Sequence, residues 1–249
     1  MTGIKITTLA ERPELAGRLW DMQDSWPAFA EHDPLAWLLY PRMVAEFPEY
    51  ILVATEGDDI AARGFSVPFA QHAPGRAGAL PARGWDQLLM WAFSDRRRGT
   101  ATDTVGAVEI SVDTARQGRG LSGALLAAMR DNARARGFAE VVAPVRPSAK
   151  AAEPDTPMAE YAYRTRDDGL PYDPWLRVHV RAGAIIDSVA PLSQTISAPT
   201  ADWREWTGLP FDTPGPIHVP GALAPVHCHP QEGYAVLVEP NVWVRHALT

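Results

Sequence analysis

One run constrains the fold more than any other: 105-VGAVEISV-112, then 113-DTARQGRG-120, then 121-LSGALLAAMRDNARARG-137. In the first segment Val108, Ile110 and Val112 share one face, and Ala107, Glu109 and Ser111 share the other, which is the period of a strand. The third segment has helical apolar spacing over 121–136 and a stop at Gly137. Between them Gly118, Gly120 and Gly123 crowd a helix mouth, although glycine weakens a helix. A second apolar strand, EVVAPV at 140–145, follows at once. Strand, glycine turn, helix and strand in that order predict a crossover and a parallel pair.

The flanking pattern fills in the rest. IKITTL (4–9) reads as a strand, and 11–23 and 33–46 read as helices, the second with Asp33 as N-cap and Pro34 in its first turn. YILVAT (50–55) and IAARGFSVPF (60–69), joined by EGDD, predict an antiparallel hairpin. WDQLLMWAFSDR (85–96) has helical spacing. After 145 come a proline-broken loop (146–157), helices at 174–183 and 201–208, and short β-prone runs such as YAVLVEP (234–240). The fold class predicted is α+β, a mixed α/β sheet flanked by helices.

Composition excludes several classes. No run of about 18 apolar residues marks a membrane span, and MTGIKITTLAERPEL lacks the apolar core of a signal peptide. The single cysteine, Cys228, fits a reducing compartment, so a cytoplasmic protein is expected. Lys and Arg total 23 against 30 Asp and Glu, a net charge of −7, which argues against nucleic acid as a partner. His227-Cys228-His229 with Glu232 leaves too little chain for a second half of a metal motif, and no metal is expected.

The glycine turn itself points to an anion. Gly118 and Gly120 let backbone N–H groups converge where a helix leaves its first donors unpaired, and a phosphate-bearing ligand suits that place. Arg116 and Arg119 would add charge. The same glycines also suit a purely structural helix cap. The phosphate-loop pattern G-x-x-x-x-G-K-[ST], the dinucleotide pattern G-x-G-x-x-G and the nucleophile elbow G-x-S-x-G are all unmet.

The stretch 109-EISVDTARQGRGLSGALL-126 resembles the acyl-CoA-binding motif of the GNAT (Gcn5-related) acyltransferases. Gln117, Gly118, Arg119, Gly120 and Leu121 match its turn, and Glu109 stands at a frequent acidic position. Thr114 replaces the usual proline, and Ser122 the last glycine or alanine, with Gly123 one place later. The resemblance implies that N–H groups of residues 117–123 grip the pyrophosphate of coenzyme A. It also implies that strand 105–112 splays from 140–145 to admit the pantetheine arm, with backbone at Ile110, Ser111 and Val112 meeting the thioester. A later family motif places a tyrosine as the acid for the leaving thiolate. Here 178-VHVRAGA-184 aligns on Gly183 and puts His179 at that place. A packed helix histidine, or Tyr161, Tyr163 or Tyr172 as the acid, are the alternatives.

Glu109, in the middle of an apolar strand, must be paired or line a polar cleft. It reads as a base acting directly or through water, or as half of a salt bridge to a nearby arginine. The resemblance covers about 4–190. It implies a single GNAT-like domain over 1–249, with a core of about 1–190 and an extension of about 191–249 that completes the sheet and covers the acceptor site or a dimer contact. The implied reaction moves an acetyl or other short acyl group from acyl-CoA, the co-substrate, to the amine of a small molecule or peptide by direct attack. A monomer or homodimer is expected. A binding module without turnover and a transferase using aminoacyl-tRNA are the alternatives.

Overall fold

A computed structural model describes residues 3–76 and 78–248. The expected hairpin forms from β2 (Ile51–Glu56) and β3 (Asp59–Phe69), and β1 (Ile4–Thr8) lies antiparallel outside β2. Helix α1 (Pro34–Glu46) starts where Asp33 Oδ1 accepts the backbone N–H groups of Leu35 and Ala36 at 2.8 and 3.0 Å. Helix α2 (Gly84–Arg98) precedes β4 (Thr104–Val112), α3 (Leu121–Ala135) and β5 (Glu140–Val145). The strand–helix–strand unit is therefore present, with β4 and β5 parallel. Short helices α4 (Met158–Tyr161) and α5 (Pro174–Arg181) follow. The chain then makes β6 (Ile185–Pro199), α6 (Thr200–Thr207), β7 (Gly215–Ile217), β8 (Val226–His229) and β9 (Tyr234–Ala247). The nine strands form one sheet in the order β1-β2-β3-β4-β5-β9-β8-β7, with β6 paired to β9.

One local expectation fails for an identifiable reason, and one strand was not anticipated. The helix expected at 11–23 is only a 3₁₀ turn over Pro13–Arg18. Leu19 O, which a continuing α-helix would bond internally, instead accepts Arg63 Nη1 at 2.8 Å. The fifteen-residue strand β6 shows no clean period in the sequence because it is bulged between Ala190 and Gln194, where Pro191 has no N–H to give the ladder. Pro240 of β9 falls opposite the same bulge, so one irregularity accommodates both prolines.

The sheet has two unlike faces. Glu109 and Ser111 face α1 and α2, where Tyr40 approaches β4; a bulge that leaves Val108 without a partner on β3 breaks the expected alternation, so Gly106 rather than Ala107 shares this side and meets Leu88. Ile110 faces α3, where Met129 lies against Gly64. The main apolar core runs through both layers. A second, smaller core joins Phe29 to Trp203, Phe211 and Leu237. It fastens the 28–30 segment to the last third of the chain, at the β9-β8-β7 end of the sheet.

Candidate active site

β4 and β5 pair only at Val105–Val141 and Gly106–Val142. Beyond Gly106 the strands part. Asp113 N donates to Ala61 O at 3.0 Å, and by antiparallel alternation the amides of Glu109 and Ser111 also turn to β3. Those of Ile110 and Val112 therefore point into the gap. The gap's floor is Trp85 of α2, whose indole Nε1 donates to Val108 O at 3.2 Å. A Cβ at Gly106 would sit inside the Leu88 side chain, so the missing side chain is what lets α2 come this close.

At the α3 end lies the glycine turn. Gly118 and Gly120 have φ of 75° and 79°, which side chains resist, and Gly120 is the N-cap of α3. A Cβ at Gly118, Gly120 or Gly123 would meet nothing within 4 Å, so open space faces these backbone groups. Residues 117–120 are exposed, Ser122 and Gly123 half-buried, and Leu121 anchors the helix in the core. Free amides at a helix mouth with room before them fit a diphosphate. The arginines do not add free charge there. Arg119 Nη2 pairs with Glu56 at 2.6 Å, and Arg116 pairs with Glu56, Asp59 and Asp113. The two guanidiniums hold the Glu56 carboxyl down to about 2. Thr114 also has a reason to replace proline: its N–H donates to Gln23 O at 2.9 Å, tying the 23–33 loop to the turn.

On the opposite face the same gap is lined by buried polar groups. Glu109 Oε1 accepts Arg63 Nε at 2.9 Å and Ser111 Oγ at 2.6 Å, and Oε2 accepts the Tyr40 hydroxyl at 2.5 Å. The salt-bridge alternative for Glu109 is thus present in the structure, with Arg63 also bonded to Asp24 at 2.8 Å. Burial and the Glu109 charge push the Tyr40 hydroxyl well above its usual value, so it stays protonated. Trp26 spans the gap. Its Nε1 donates to Ser111 Oγ at 2.9 Å, and Arg146, just past β5, stacks 5.5 Å from its ring. Arg146 in turn pairs with Glu239 of β9 at 2.6 Å.

His179 does not join this group. It is buried, 2.9 Å from His246 Nε2 through its Nδ1, and packs on Trp175. Burial, with the His246 ring beside it, pushes His179 down to about 3. An imidazole that is neutral at pH 7 carries no proton it readily gives to a thiolate, which argues against the acid role. Tyr161 is buried and donates to Asp173 Oδ2 at 3.0 Å, while Tyr163 and Tyr172 are exposed. Arg63 and Tyr40 were missed in the sequence reading. A visible signal existed for one: Arg63 interrupts an apolar strand as abruptly as Glu109 does. Among the described residues no cluster of three or more His, Cys, Asp or Glu is placed to hold a metal, and no helix is long and apolar enough to cross a membrane.

No family model matches the chain. It is 30% identical over 278 residues to the arginine N-acetyltransferase avaD of Aspergillus versicolor, across 99% of this chain and 94% of that protein. The chain belongs to the GNAT superfamily of acyl-CoA-dependent N-acyltransferases. Solved structures agree on the fold. The loading GNATL domain of CurA from Lyngbya majuscula superposes with a TM-score of 0.57 at 18% identity, covering 98% of each chain. The GphF GNAT-like decarboxylase in complex with isobutyryl-CoA gives 0.55 at 17% identity, covering 99% of each. Both span the full length of this GNAT chain, including the β6–β9 ribbon, so the last third is part of their common architecture.

Proposed function

We propose that this enzyme acylates the amine of a small molecule of the arginine class, using acetyl-CoA or another short acyl-CoA. The observation that carries this is the parting of β4 from β5, with a backbone anion cradle on the α3 side and a buried polar network on the other. The relative that acts on arginine supports the acceptor class. Residues 117–123 take the pyrophosphate, and the amides of Ile110 and Val112 face the thioester. Acyl-CoA supplies the activated carbonyl. The acceptor nitrogen forms a bond to that carbon, the carbon–sulfur bond breaks, and the thiolate takes its proton from solvent.

Glu109 receives the amine proton through the Ser111 hydroxyl, which lies 2.6 Å from it and faces the gap. Arg63 and Tyr40 hold Glu109 in place for this. His179 packs α5 against β9 and stays neutral. Residues 1–249 act as one domain, with 191–249 as the extension that carries the second apolar core over the acceptor side. Buried Cys228 suits a reducing cytoplasm. The test is thiol release from acetyl-CoA against an amine panel, with the product identified by mass. Release with arginine and an Nα-acetyl product supports the reading. CoA binding without thiol release for any amine would instead identify a binding module.

A further inference from the structure

Two carboxylates outside the Glu109 network have no cation within hydrogen-bonding distance. Asp86, in the first turn of α2, is 2% exposed, and its Oδ1 has no hydrogen-bond partner among the described residues. Arg83 reaches toward its other oxygen only at 3.9 Å, from an exposed side chain. Asp33, 1% exposed, spends Oδ1 on the α1 cap, and its Oδ2 has only a long 3.4 Å contact with Gln194. The two acids converge on β6, because Gln194 meets Asp33 while the backbone of the next residue, Thr195, meets Asp86. A third acceptor lies close by. Asn241 Oδ1 is buried without a partner, and Asn241 stands opposite Ala190, the residue against which Gly84 of α2 packs.

A buried, unpaired carboxylate costs free energy unless a proton neutralises it or a ligand completes it. Burial, together with the charge of Asp33, raises Asp86 to about 7, as expected of a carboxylate that lacks its cation. Three acceptor oxygens and no donor of matching charge describe a receptor for a planar, multi-donor cation. The spacing to the reacting end also suits one substrate. Asp33 and Tyr40 lie seven residues apart on α1, about 10 Å along the helix axis, and Tyr40 touches Glu109. On this spacing an extended aliphatic arm would join an amine at Glu109 to a cation at Asp33.

We propose that Asp86 and Asp33, with Asn241 Oδ1, form the subsite that binds the guanidinium or second ammonium of the acceptor. This rests on the acyl-transfer reading and adds the element that selects the substrate. Arginine and citrulline have the same shape, and only arginine is charged. The wild-type enzyme should prefer arginine in kcat/KM by about tenfold or more, the expected effect of leaving a buried charge unpaired. D86N should lower that preference by a similar factor, mainly through KM for arginine. D33N, which keeps an N-cap side chain, should do the same in lesser degree.

Thermal shift in the absence of CoA gives a second readout that needs no turnover. Millimolar arginine should raise the wild-type Tm more than citrulline does, and D86N should remove the difference. Equal handling of arginine and citrulline by wild type, or an unchanged preference in D86N, would overturn the subsite. An Asp86-dependent shift in a protein that releases no thiol with any amine would keep the subsite and refute only the acyl-transfer reading.

Discussion

D86N should gain stability over wild type as pH rises from 5 to 8. The carboxyl of Asp86 is raised from 3.8 to about 7 by burial first and by the Asp33 charge second. A carboxyl whose folded pKa exceeds its unfolded one binds more protons when folded. Its contribution is therefore fully present below about pH 4 and is lost as pH rises through about 7. At about 1.36 kcal/mol per pH unit, the part of this window above pH 5 has a ceiling of about 3 kcal/mol. Relaxation around the charge and entry of water should leave about 2 kcal/mol. Asn cannot ionise, and the cost of its unpaired amide is the same at both pH values. The change in the mutant-minus-wild-type difference between pH 5 and pH 8 therefore isolates the ionisation. For a chain of this length about 2 kcal/mol corresponds to about 4–8 °C in Tm. Urea unfolding of both proteins at the two pH values measures it, with the m-values compared to exclude a change in the unfolded state. A difference that stays constant with pH would refute the reasoning, because the carboxylate would then be paying no penalty for its charge.

E109Q should lower kcat/KM by about 100-fold or more if the amine proton reaches this carboxylate, while calorimetric titration shows acetyl-CoA affinity falling far less. G120A forces a side chain into the left-handed conformation at the α3 cap. It should cost about 1 kcal/mol in urea unfolding and, on the proposed phosphate cradle, weaken CoA binding about tenfold. E56Q releases Arg116 and Arg119 from their pairing and should tighten CoA binding by a few-fold at most, an effect that disappears in high salt.

The glycine turn and the helix start after it were legible because their determinants are local. A glycine's permitted φ, the unpaired amides of a helix start and a two-residue period can all be read within twenty residues. The hairpin and the parallel pair were legible for the same reason. The acceptor side was not, because it is assembled from distant segments. Arg63 and Glu109 meet across 46 positions, and Trp26 reaches Ser111 across 85. Asp33 reads correctly as a helix cap, yet only the fold shows that its second oxygen is left over and that Asp86 lies near it. Strand β6 was hidden by Pro191, whose place in a bulge depends on the partner strand. His179 shows the converse failure. The motif alignment located the helix, but burial against His246 decides the chemistry of the ring.

The arrangement around β4 explains why one strand carries so much of the function. A strand has two faces and two edges, and β4 uses all four differently. One edge is laddered to β3 along its length except at a bulge at Val108, and fixes the strand's position. The other is laddered for only two residues, which leaves amides free without leaving the strand mobile. One face is apolar and locks onto α3, so the glycine turn is held at a constant distance from those free amides. The other face is polar and is pinned through Arg63, Tyr40 and Trp26 to β3, α1 and the 23–33 loop. The open edge must still be kept from water and from pairing with another chain. Trp85 below it, and Trp26 with Arg146 across it, do this with side chains that a ligand can replace or pack against. Thr114 then couples the cover to the cradle, since the N–H that proline would lack is what holds the 23–33 loop in register.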